Sequence, residues 1–149
     1  MKDKVIHNFL TDEGKLVVRD AVGEAENQTS GELVVALLGK TKDGNTKNRA
    51  TEEFNKREIQ GTAAGTGVLI AIFPHEHVVE ILGDYAINEK ADQSDWDDAV
   101  QLIVDGVKAG TPELGIKKAV LSIGELLTTN FPIQEDDVNE LSDDVVISE

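Results

Sequence analysis

Gly67-Val68-Leu69-Ile70-Ala71-Ile72-Phe73 is an unbroken apolar run, and Pro74-His75-Glu76-His77 turns it directly into a second one, Val78-Val79-Glu80-Ile81-Leu82. A short apolar run bounded by turn residues predicts a strand buried on both faces. So short a turn makes the next strand its antiparallel neighbour. Upstream, Glu32 to Leu38 predicts another strand. It is followed by a polar loop, Lys40 to Asn48, and by a helix to about Arg57 that buries Ala50 and Phe54. Strand, helix, strand implies a right-handed parallel crossover. The centre of the protein is therefore a small mixed sheet.

Helices flank this centre. Thr11 is a good N-cap, and Asp12 and Glu13 suit the first turn of a helix reaching about Asn27, with Leu16, Val18, Ala21, Val22 and Ala25 as its apolar face. After the strands, Ser94 is read as the cap of a helix carrying Trp96, Val100, Ile103, Val104 and Val107. Thr111-Pro112-Glu113 opens a last helix, which buries Ile116, Val120, Ile123 and Leu127. The order is α-β-α-β-β-α-α, an α/β fold with helices on both faces of the sheet. Residues 9–132 form one domain. The acidic segment 133–149 is expected to dock on it through Val138, Leu141, Val145, Val146 and Ile147.

Fourteen basic residues stand against 29 acidic ones, a net charge of −15. Such a surface repels phosphate backbones and anionic lipid, so nucleic-acid binding is not expected. No apolar run approaches the roughly 20 residues of a membrane span. Divalent cations and a basic protein partner suit the charge, and a monomer is expected. The absence of cysteine rules out disulfides, thiol nucleophiles and thiolate metal sites. No apolar run follows Lys2 and Lys4 to act as a signal segment, so a cytoplasmic protein is expected unless such a segment has been removed.

Several motifs fall away on inspection. Gly61 to Gly67 precedes a strand, not a helix N-terminus, and lacks a Gly-Lys-Ser/Thr ending, so it is no phosphate loop. His75 and His77 flank Glu76 without a third nearby histidine, and a solvated turn outweighs a metal trap. Asp136-Asp137-Val138-Asn139-Glu140 lacks the glycine and glutamate spacing of an EF-hand. No Ser–His–Asp arrangement can be assigned.

One candidate remains. Asn88 to Asp98 reads as an acidic loop at the exit of the third strand, and open α/β sheets place ligand crevices at strand ends. Asp84, Asn88, Asp92, Asp95, Asp97 and Asp98 crowd into 15 residues, with Lys90 the sole basic residue among them. Like charges this close favour a bridging cation, and hard oxygen ligands favour calcium or magnesium. The plainer alternative has Asp95 and Asp97 favouring the helix N-terminus while the others face water.

The run of motifs resembles the TPM domain, the family named for thylakoid-lumen, photosystem-associated and receptor-modulating members. The residues that carry the likeness are Phe9-Leu10-Thr11, Glu26-Asn27-Gln28-Thr29-Ser30-Gly31-Glu32, Gly67-Val68-Leu69-Ile70, Ile81-Leu82-Gly83-Asp84, Ile87-Asn88, Trp96 and Gly115-Ile116. The ending, Phe131-Pro132 and Asp136 to Ser142, is similar to a short soluble bacterial subgroup. The resemblance implies an α/β/α sandwich with a divalent-cation site in an acidic crevice at one sheet edge. By position it implicates Glu32, Asp84, Asn88, Asp92 and Asp95. It also brings a second reading, a metal-assisted acid phosphatase, beside a third, a metal-free interaction module with an acidic face. The chain departs from the pattern at Ala86, at Gly65-Thr66 and at Thr111, where a carboxylate is missing.

Overall fold

The computed structural model describes residues 2–57, 59, 65–133 and 142–149. Its elements run α1 (Lys4–His7), α2 (Asp12–Glu26), β1 (Glu32–Leu38), α3 (Thr46–Lys56), β2 (Gly67–Phe73), β3 (Val78–Gly83), α4 (Tyr85–Lys90), α5 (Gln93–Lys108), α6 (Pro112–Asn130) and β4 (Val146–Ser148). The sheet order is β3-β2-β1-β4. β1 lies parallel to β2 and β4, and β3 is antiparallel to β2.

Alternation along β1 and β2 explains why both are apolar throughout. Leu33, Val35, Leu37, Val68, Ile70 and Ile72 face one core, with Val18 and Val22 of α2, Ile103 of α5 and Ile116, Ile123 and Leu127 of α6. Val34, Ala36, Leu38, Leu69, Ala71 and Phe73 face the other, with Ala50 and Phe54 of α3. Successive strand residues point to opposite faces, so a strand covered on both sides cannot alternate with polar residues. Three layers result: one helix, the sheet, then a layer that includes α2, α5 and α6.

The α3 side holds a buried acid paired with two arginines. Glu53 is fully buried, and it pairs with Arg49 Nη1 at 2.9 Å and with Arg57 Nε. Burial pushes its carboxyl up, but the Arg57 and Arg49 guanidiniums outweigh that and hold it below the usual carboxylate value.

Several expectations need correction. Leu16 lies off the buried face of α2 and is 48% exposed. The stretch read as an acidic loop contains the second half of α4, a two-residue link and the start of α5. Asp92, not Ser94, is the N-cap of α5, because Asp95 three residues on returns its Oδ2 to the Asp92 N–H at 2.8 Å. The hairpin tip is knit in rather than merely solvated: His75 Nε2 meets Asp3 Oδ2 at 2.7 Å, and Glu76 Oε2 accepts the Thr41 N–H at 2.8 Å.

At the far edge, Ala36, Leu37 and Leu38 pair with Val146, Ile147 and Ser148. Val145 and Ile147 pack on the larger core and Val146 on the smaller. Arg49 Nη2 donates to Ser148 Oγ at 3.0 Å, and Glu149 Oε1 accepts the Asp3 N–H at 2.7 Å, so both ends of the chain are held. Val138, Leu141, the Asp136–Glu140 run and Gly61 to Ala64 lie outside the described residues.

Candidate functional site at the Glu32–Asp84 edge

β1 begins at Glu32, β2 begins at Gly67 and β3 ends at Gly83, so three strand termini meet at one edge. Because β3 runs antiparallel, its exit lies beside the amino ends of the parallel pair. Crevices in doubly wound sheets form instead at carboxyl ends. The backbone stitches this edge together. The Glu32 N–H donates to Thr66 O at 3.4 Å, the Asp84 N–H to Gly67 O at 2.8 Å, and the Ala86 N–H to Gly65 O at 3.0 Å. Gly65 has φ +67°, and a Cβ there would stand 2.2 Å from the Tyr85 ring. Glycine is therefore required where the chain passes beneath α4.

Glu32, Thr66 and Asp84 are 4%, 1% and 6% exposed. Asp84 is the N-cap of α4, and its Oδ1 accepts the Tyr85 N–H at 2.7 Å. Its Oδ2 is shielded from solvent and meets no hydrogen-bond partner among the described residues; Thr66 Oγ1 is in the same condition. A buried polar oxygen left without a partner costs about 1–3 kcal/mol.

The other implicated residues are occupied locally. Asn88 is exposed and donates Nδ2 to Gly83 O at 2.7 Å. Asp92 and Asp95 belong to the cap of α5. The fold thus brings Glu32 and Asp84 to adjacent strand ends, hangs Asn88 from the following turn, and carries Asp92 and Asp95 to the next helix. Among the described residues no three histidine, aspartate or glutamate side chains converge in a way that could hold a metal ion.

Sequence reasoning missed two residues here. Thr66 stands in the sequence only as a departure from the family pattern, and its burial alone distinguishes it. Glu26 was quoted for the family likeness and given no role. Its Oε2 accepts the Leu33 N–H at 2.8 Å. Burial first, then a hydrogen bond with Asp143 and the charges of Glu32 and Asp143, push its carboxyl up to about 10. Raised this far, the Glu26–Asp143 pair favours holding a proton into the neutral range. A signal for it exists: an acid in the last turn of a helix opposes the dipole and needs another reason to be there.

A mixed four-stranded sheet between helices, with acids gathered at one strand edge, defines an α/β/α sandwich. Residues 5–126 match the TPM domain, and the chain belongs to that family. The fold is similar to the NMR structure of the BA42 protein from the psychrophilic bacterium Bizionia argentinensis. The TM-score is 0.85 at 29% identity, over 93% of this chain and 95% of that one. No curated protein matches the chain. Among the described residues no helix is long and apolar enough to cross a membrane.

Proposed function

We propose that this TPM domain binds a divalent cation, calcium or magnesium, at the edge where Glu32, Thr66 and Asp84 meet, with Asn88, Asp92 and Asp95 along the rim. The bound cation orders that edge as a surface for a basic protein partner, and the domain works as a cytoplasmic monomer. One observation carries the reading: Asp84 Oδ2, a hard acidic oxygen, is buried and meets no hydrogen-bond partner among the described residues, and the same holds for Thr66 Oγ1 at the same end of the sheet. Oxygen donors of this kind suit calcium or magnesium. Asn88 and Asp95 would have to exchange a local hydrogen bond for the ion, so the set is led by the two strand-end acids.

The phosphatase reading asks for a cationic clamp on the substrate phosphate. Between Asp84 and Asp98 Lys90 alone is basic, and the binding reading stands ahead of it. The test is a calcium and magnesium titration of the demetallated protein, followed by backbone amide shifts. Saturable shifts centred on Glu32, Thr66 and Asp84 are expected. Small linear shifts spread over all acidic residues would sink the proposal and leave the metal-free interaction module.

A further inference from the structure

A separate concavity opens at the other end of β2 and β3, away from the Glu32–Asp84 edge. It has a volume of about 460 Å³, and its walls include Phe9, Val79 of β3 and Val104 of α5. That is the size and character of a small-molecule site: concave, apolar and furnished with few polar groups. Two of its apolar residues stay open to solvent, Val5 at 48% and Val107 at 43%.

The charges around it are unlike those of the rest of the protein. In a chain of net charge −15, the only titratable residues lining the cleft among the described residues are His77 and Lys108, both basic. Among the described residues neither is in an ion pair. Asp105, one turn before Lys108, accepts from Gln101 Nε2 at 2.7 Å and lines a different hollow. His77, at φ +58°, is the last residue of the hairpin turn before β3, in the left-handed region that histidine enters more readily than most side chains.

We propose that this cleft binds a small amphipathic carboxylate of the medium-chain fatty-acid type, its tail between α5 and β3 and its carboxylate at Lys108 and His77. A neutral apolar ligand would make no use of the Lys108 ammonium, whereas a carboxylate can pair with it. A second copy of the chain would bring another large negative charge towards a concave opening.

The experiment is an amide-shift titration of the full chain with octanoate, decanoate and decanol, kept in EDTA so that the result is independent of the cation proposal. Saturable shifts at Phe9, Val79, Val104 and Val107 are expected. Decanoate should bind roughly 15-fold more tightly than octanoate, at about fourfold per methylene. Lys108→Glu should weaken decanoate by about fivefold or more while leaving decanol unchanged. Val104→Trp, which fills the cleft, should weaken both. Equal binding of decanoate and decanol with no response to Lys108→Glu would overturn the proposal. Movement of the same amides on dilution alone would also overturn it, because the cleft would then belong to a second copy.

Discussion

Glu53 and Asp84 are both buried acids, and the fold treats them differently. Glu53, under α3, is held between Arg49 and Arg57, one turn away on either side along the same helix. Asp84, at the end of β3, gives Oδ1 to the Tyr85 N–H and leaves Oδ2 with nothing to meet among the described residues. A buried acid that is fully paired is structure; one that is half paired keeps capacity for something else. Glu26 represents a third solution. It keeps its proton and shares a hydrogen bond with Asp143 instead of finding a cation.

Breaking the paired case has the largest expected effect. Glu53→Ala removes the buried acid that pairs with both guanidiniums. Loss of a partner from a buried ion pair costs about 3–5 kcal/mol. Arg49 and Arg57 are partly exposed and retain access to water, so about 3 kcal/mol is expected, measured by urea denaturation. A loss under 1 kcal/mol would mean that the pairing contributes little, and the contrast with Asp84 would collapse.

The protonated case predicts a pH dependence. Folded Glu26 holds a proton that the unfolded chain, with its ordinary carboxyl value of 4.5, releases; the folded value is about 10. Between those limits the native state binds more protons than the unfolded state, so stability falls as pH rises. One proton corresponds to a slope of up to about 1.4 kcal/mol per pH unit. Denaturation at pH 6, 7 and 8 should show this fall, and Glu26→Gln should be flatter by about that slope. Parallel curves for the two proteins would show that Glu26 is already ionised at neutral pH.

The strands were legible because each is a property of a short local run. β1, β2 and β3 could be bounded to within a residue from apolar runs and one turn. β4 could not, since Val146–Ser148 becomes a strand only by pairing with Ala36–Leu38, more than 100 residues earlier. The start of α5 was misplaced because Ser94 and Asp92 are both good caps, and only the reciprocal bond from Asp95 decides between them. Leu16 fitted a helical period that was slightly too generous. At the site, Glu32 and Asp84 were visible as acids at strand ends. Thr66 and Glu26 matter through burial and through Leu33 and Asp143, which no local pattern shows. The rule about carboxyl ends pointed to the exit of β3, but that exit adjoins the amino ends of the parallel strands, so the rule's own geometry is not met there.

The smallest expected effect probes the half-paired acid itself. Asp84→Asn is nearly isosteric, and asparagine caps helices about as well as aspartate, so the bond from the Tyr85 N–H to Oδ1 survives. What changes is the atom without a partner, from an acidic oxygen to a neutral amide nitrogen. Without a cation the variant should therefore be more stable than the parent, by about 1 kcal/mol. With calcium at 100 times its dissociation constant the parent should gain about 2.7 kcal/mol and the variant almost nothing, reversing the order of their melting temperatures. If Asp84 were only a cap, calcium would shift both proteins equally and the variant would show no gain in its absence. Asp84 would then be a second structural acid like Glu53, and the difference between the two regions would lie in geometry alone.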